Sequence, residues 1–191
     1  MKPFDQLVAY IKELHTIEEE EIDLILSKFS HQKLKRNQIL VREGEPCNFN
    51  YFVLNGSLRL YKIKEDGQEL IRYFALENKF ASNLTSLITN EISQEYIQSN
   101  ETSEILAIHK IDFYNLVEVS PAMNKVYRNI LENAYITSQK RIYNFQGMEA
   151  IERLKWAVKY NPNLLSRIPN KMIASYLGIT PFTLSRIKSK I

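Results

Sequence analysis

The apolar residues change their period along the chain, and each change marks a different kind of element. In "FDQLVAYIKEL", Phe4, Leu7, Val8, Ile11 and Leu14 fall three and four apart, which predicts an amphipathic helix. Thr16 with Glu19 three residues on makes a capping-box pattern that opens a second helix, "IEEEEIDLILSKF". Glu18 to Glu21 fall in its first turn, where the helix dipole favours negative charge. The acidic run therefore reads as end stabilisation and not as a binding site.

From Lys33 to Lys110 the period shortens to that of strands: "KLKRNQILV", "FNYFVLNG", "SLRLYKIK", "QELIRYFAL", "QEYIQS" and "SEILAIHK". Turn signals separate them at Glu43-Gly44-Glu45, Asn55-Gly56 and Asp66-Gly67, the last being the clearest hairpin. Many short antiparallel strands predict a small barrel, sandwich or jelly roll. After "KIDFYNLVEV", a short helix, Ser120-Pro121 opens a long one, with serine as cap and proline suited to the first turn. No breaker follows before Gly147, so this helix runs on the order of 25 residues, roughly 40 Å. Met123, Val126, Tyr127, Ile130, Ala134 and Thr137 form a stripe along it. A helix of that length needs a surface to lie against. A symmetric second copy in a homodimer is the expected one, with the chain's own β-domain as the alternative.

The C-terminal pattern is the most specific. "MEAIERLKWAVKY" is an amphipathic helix stopped at Asn161-Pro162, and "KMIASYLGITPFTLSRIKSKI" follows. Ile173, Leu177, Ile179, Leu184 and Ile187 are apolar, Ala174 is small, and Gly178 follows Leu177 directly. This is the spacing a helix-turn-helix requires: two helices cross over a small residue, and the chain turns at a glycine free to adopt positive φ. Thr180 as N-cap and Pro181 at the first position start the second helix. Its outward residues are expected to include Pro181, Phe182, Thr183, Ser185, Arg186 and Lys188. In a major groove, Arg186 has the fork for a guanine, Thr180, Thr183 and Ser185 suit phosphates or base edges, and Lys171, Lys188 and Lys190 suit phosphates.

Charge sharpens this picture. The net +3 divides into +6 over residues 148–191, where eight Lys/Arg face Glu149 and Glu152, and −3 over residues 1–147. A basic end on an acidic body points that end toward a polyanion. Cys47 is the single cysteine, so neither an internal disulfide nor a thiolate metal site is available. His15, His31 and His109 lie in unrelated segments, and no nucleophile–base or metal-ligand pattern accompanies them, so no enzyme and no cofactor are expected. No apolar run approaches the roughly 18 residues of a membrane span, and the acidic start lacks a signal-peptide core. A cytoplasmic protein without membrane contact is the expectation.

The order of parts resembles the family of the catabolite activator protein and the fumarate–nitrate reduction regulator, the CRP/FNR family, over essentially the whole chain. "REGEPCNFNYFVLNGSLRLY" is similar to the opening strands of a cyclic-nucleotide-binding β-roll, and "IASYLGITPFTLSRI" to that family's DNA-reading unit. The resemblance implies an α+β chain: leading helices with an antiparallel β-roll of jelly-roll type over 1–118, a long dimerisation helix over 119–146, and a helix-turn-helix domain over 147–191. It also implies a homodimer on a pseudo-palindromic double-stranded DNA operator, with RNA polymerase as a candidate further partner.

Departures from the family pattern carry as much as the matches. Cyclic-nucleotide-binding members hold the sugar–phosphate with a Phe-Gly-Glu stretch and a later arginine. Here Phe80 matches, Ser82 and Asn83 replace the Gly-Glu pair, and Ser93 or Gln94 stands at the arginine position. Glu91 and Glu95 would repel a phosphate, so cyclic AMP is not expected to bind. The pocket either takes a neutral or cationic small molecule through Asn83, Thr85, Ser86, Ser93 and Gln94, or is filled by Phe80, Leu84, Leu87 and Tyr96. In the reading helix, Phe182 stands where members commonly carry an acidic residue, which predicts a shift from cytosine toward thymine at that step. The sequence stops at Ile191, before the β-hairpin wing many members carry, so fewer backbone contacts are expected. Two competing functions remain: a small-molecule module whose helical tail binds proteins, and a regulator that still answers to a cyclic nucleotide.

Overall fold

The computed structural model describes residues 3–191, which form two compact units: residues 3–60 with 74–132, and residues 61–73 with 133–191. In the first unit, α1 (Asp5–Leu14) buries Leu7 and Ile11, one turn apart, while α2 (Glu19–Leu26) buries Ile25. The capping box expected at Thr16 does not form. α2 starts on Glu18, whose extended backbone is the N-cap and whose side chain makes no cap bond. Glu19 to Glu21 do occupy the first turn, but Glu21 reaches further. Its Oε1 accepts from Ser120 Oγ at 2.5 Å and from the Ala122 N–H at 3.3 Å, placing a carboxylate at the start of the long helix.

The strands are β1 (Phe29–Leu34), β2 (Ile39–Val41), β3 (Phe49–Asn55), β4 (Leu58–Ile63), β5 (Glu69–Ala75), β6 (Phe80–Ala81), β7 (Tyr96–Ser99) and β8 (Ser103–His109). They make two four-stranded sheets, β1-β8-β3-β6 and β2-β7-β4-β5, the jelly-roll architecture expected. In the first sheet, β1 pairs antiparallel with β8 from Phe29↔Ile108 to Leu34↔Ser103, and β3 pairs with the other side of β8. "KLKRNQILV" is not one strand: Asn37 adopts a φ of 62°, and the chain turns there between β1 and β2. The predicted Asp66-Gly67 turn is present, with Gly67 at φ 77° and Lys64 N–H donating to the Gln68 carbonyl at 2.9 Å. Gly56 is required by space as well as φ, since a Cβ there would lie 2.2 Å from Ser103 Oγ.

Between β6 and β7 lies a short helix, α3 (Leu84–Thr89), and α4 (Lys110–Val119) leads into α5 (Pro121–Gly147), 27 residues long. Ser120 caps α5 as predicted, its Oγ accepting from Met123 N–H at 3.0 Å. The core of this unit gathers Leu7, Ile11, Ile25, Phe52, Phe80, Leu106, Ile108, Phe113, Met123 and Val126. Each such side chain contributes roughly 1.5–3 kcal/mol through removal from water. The second unit contains α6 (Ala150–Tyr160), α7 (Leu164–Arg167), α8 (Asn170–Leu177) and α9 (Pro181–Lys188).

Candidate functional site

The corner between α8 and α9 forms as its sequence dictates. Ile173, Ala174, Leu177, Leu184 and Ile187 are buried, while Ile179 is partly covered. Gly178 ends α8 in the left-handed region at φ 64°, and a Cβ there would come within 2.5 Å of the Phe145 ring. No other residue type enters that turn without strain. Thr180 caps α9, its Oγ1 accepting from Thr183 N–H at 3.0 Å, and Pro181 occupies the first turn. Arg153 fastens the corner from α6, its guanidinium donating to the Leu177 carbonyl at 3.2 Å and the Met148 carbonyl at 3.1 Å. Arg141 lies 4.6 Å over the Tyr176 ring, and Trp156 stacks on the same ring. Burial pushes the Tyr176 phenol above its ordinary pKa, against the opposing pull of the Arg141 charge.

On the outer side, Pro181, Phe182, Ser185, Arg186 and Lys190 are exposed, as is Lys171 on α8, while Thr183 is half-buried. Lys188 departs from its expected role as a phosphate contact. Its ammonium turns back to the Leu165 carbonyl at 3.4 Å and Asn170 Oδ1 at 3.3 Å, because its stem follows the half-buried flank of α9. A concave strip of about 430 Å³ runs beside α9, bounded by Thr183, Arg186 and Lys190 on one wall and by Glu149 to Ile151 at the start of α6 on the other. Of the eight cations in this segment, Arg153 and Lys188 thus serve the fold, Arg167 is half-buried, and Lys155, Lys159, Lys171, Arg186 and Lys190 face solvent.

The residues of the β-roll cassette are brought together, but largely to satisfy one another. Asn83 is buried and caps α3. Its Oδ1 accepts from Ser86 N–H at 3.1 Å, and its Nδ2 donates to Ser93 Oγ at 3.0 Å and to Glu95 Oε2 at 3.2 Å. Ser93 Oγ donates in turn to the Glu95 carbonyl at 2.7 Å. Ser86 Oγ accepts from Cys47 N–H at 3.0 Å and donates to the Glu91 carbonyl at 2.5 Å. Ser82 is buried, Leu84 half-buried, and Thr85 and Gln94 exposed. Phe80 is a core residue instead of a cavity wall: its ring lies 5.0 Å from Phe52 and 5.8 Å from Tyr10, because β6 pairs with β3 over α1. A concavity of about 370 Å³ in this unit opens between α3 and α4, at Leu87, Ile88, Lys110, Ile111 and Tyr114, and no cassette residue named above except Leu87 borders it. Burial raises the Cys47 thiol above its ordinary pKa, so it is an inert core residue at neutral pH.

Sequence reasoning missed a second polar group in the β-roll. Arg59 is 3% exposed and donates to Asn100 Oδ1 at 3.0 Å and Gln98 Oε1 at 2.5 Å; Asn100 donates to Ser57 Oγ, which donates to Glu101. An arginine between two leucines in a strand that opens Leu58-Arg59-Leu60 was the available signal. Among the described residues, no group of three or more His, Cys, Asp or Glu side chains is placed to hold a metal, and no helix is long and apolar enough to cross a membrane.

The α5 stripe is divided. Met123 and Val126 are fully buried in the chain's own core, which closes these two to a second copy, and the half-buried Tyr127 and Ile130 pack against that core. Ala134 and Thr137 are half-buried. The large apolar residues that α5 leaves exposed are Tyr135, Ile136, Ile142, Tyr143 and Phe145.

Comparison with known proteins agrees with the fold. Residues 31–120 match the cyclic nucleotide-binding domain family. The anaerobic regulatory protein of Pasteurella multocida is 25% identical, the match covering 92% of this chain and 68% of that protein. Among solved structures, FixK2 from Bradyrhizobium japonicum superposes with a TM-score of 0.73 at 16% identity, covering 85% of this chain and 83% of that one. The catabolite activator protein of Thermus thermophilus gives 0.59 at 21% identity, covering 93% and 84%.

Proposed function

The chain is a homologue of the CRP/FNR family of transcription regulators, and from that premise we propose that it is a homodimeric, sequence-specific DNA-binding regulator whose β-roll does not take cyclic AMP. The observation that carries the reading is the outer face of α9. On a corner fixed by Gly178 and Thr180, it exposes Ser185 and Arg186 to solvent, with Lys190 exposed just past its end and Lys171 exposed on α8. Arg186 supplies a bidentate contact to guanine O6 and N7, and the exposed lysines supply salt-sensitive phosphate contacts. Two copies place their α9 helices in successive major grooves, roughly 34 Å apart.

The exposed residues of α5, together with the half-buried Leu131, support a different seam from the stripe that periodicity selects. Leu131, Tyr135, Ser138, Ile142 and Phe145 step by four, three, four and three residues, the spacing of a two-helix coiled coil. Tyr135 is 67% exposed and Ile142 48%. Selection of bound duplexes from a random pool tests the whole proposal: recovered sites form a pseudo-palindrome with half-sites about one helical turn apart. In sedimentation, Tyr135→Glu with Ile142→Glu converts a dimer to a monomer; a wild-type monomer on DNA overturns the symmetric reading.

A further inference from the structure

Phe182 is 77% exposed, the most exposed of the large apolar side chains described. It stands at the second position of α9, the turn through which a reading helix meets base edges. The polar atoms of that turn are engaged with each other: Thr180 Oγ1 accepts from Thr183 N–H, and the two threonine hydroxyls are hydrogen-bonded at 2.9 Å. Outward, the turn therefore presents an apolar tip, Pro181 and Phe182, with the exposed Ser185 and Arg186 one turn further on the same side.

We propose that Phe182 reads the C5-methyl group of a pyrimidine in the major groove, so that thymine and 5-methylcytosine are both selected over unmethylated cytosine. The inference rests on α9 being the base-contacting helix. In that groove the apolar feature of a base pair is the thymine methyl; the other edges are donors and acceptors that a phenyl ring leaves unsatisfied. The ring is attracted to a methyl and penalised opposite a bare amino or carbonyl edge. 5-Methylcytosine, which carries both a methyl and the N4 donor, ranks between thymine and cytosine. Geometry fixes where the methyl lies. Phe182 and Arg186 are four residues apart, about 6 Å along the helix, or nearly two base-pair steps of about 3.4 Å. The methyl-bearing pyrimidine falls within about two base pairs of the guanine read by Arg186.

The test uses the full chain and a duplex recovered from the random pool. At the thymine adjoining that guanine, deoxyuridine removes only the methyl. The wild type then binds about fourfold more weakly, the loss from one buried methyl, and Phe182→Ala binds the thymine and uracil duplexes equally. Cytosine placed there regains part of the affinity on 5-methylation, with the wild type alone. An equal uracil effect in both proteins, no uracil effect in the wild type, or recovered sites lacking a thymine near the guanine overturns the inference and leaves DNA reading intact. A wild type that selects no sequence at all removes the underlying DNA reading, and this inference with it. Because Phe182 is exposed, its replacement leaves the thermal midpoint unchanged, which separates lost reading from lost folding.

Discussion

The turn into α9 and the β-roll cassette are both rich in short polar residues, and they dispose of them in opposite ways. In the cassette, Asn83, Ser86, Ser93 and Glu95 are buried and close a network upon one another. Along α9 the cap uses two threonines, and Ser185 and Arg186 stay in solvent, as does Lys190 just beyond the helix. A ligand entering the cassette has to break hydrogen bonds already made, whereas a duplex meeting α9 displaces only water. The difference separates a region whose polar groups are spent on the fold from one whose polar groups remain free for the proposed recognition, although similar residue types occur in both.

The largest expected effect falls on the recognition side. Arg186→Ala removes the proposed bidentate base contact and should weaken binding to the selected duplex by about 2 kcal/mol, near thirtyfold, with relaxed preference at one base pair. Its thermal midpoint stays at the wild-type value because the side chain is exposed. Fluorescence anisotropy at fixed salt reads the first outcome. Unchanged affinity and preference would remove the contrast, since α9 would then be a surface with no special role.

The cassette gives the complementary result. Asn83→Ala strips one partner each from Ser86 N–H, Ser93 Oγ and Glu95, and a buried group that loses a hydrogen bond costs about 1–3 kcal/mol. Urea unfolding of the full chain should lose about 1.5 kcal/mol, while the folded fraction binds DNA as the wild type does. Thr180→Ala lies on the boundary between the two behaviours. It removes a cap worth about 1 kcal/mol and also loosens the turn that presents Phe182, so stability and DNA affinity both fall, each modestly.

What the sequence made legible follows the range of the interactions involved. The α8–α9 corner, the Ser120-Pro121 start of α5 and the Asp66-Gly67 hairpin rest on contacts within a few residues, and each was readable from residue type and spacing. The break at Asn37 was not, because an asparagine at positive φ has no marker comparable to Asn-Gly. Met123 and Val126 were read as a possible seam because periodicity identifies an apolar face without saying what covers it; the chain's own core covers this one. Phe80 was placed in a pocket for a related reason: its neighbours Tyr10 and Phe52 lie 70 and 28 positions away in the chain. Arg59 escaped notice because strand alternation assigns a face to a charged residue but cannot supply the amide oxygens of Gln98 and Asn100 that make its burial tolerable.

The smallest expected effect is the most discriminating for the cassette. Titration with cyclic AMP or cyclic GMP should release no heat and leave the unfolding midpoint unmoved. A ligand bound only by the folded state would add about 2.7 kcal/mol of stability at a hundred times its dissociation constant, well above the resolution of a thermal scan. The expectation of zero follows from charge and satisfaction together. A phosphate placed against Asn83 meets the buried Glu95 carboxylate, and the Nδ2 that might receive it already donates to Ser93 and Glu95. A stabilising shift with either nucleotide would mean that this network opens at little expense, and the contrast between a closed cassette and an open reading face would reduce to a difference between two states of one site.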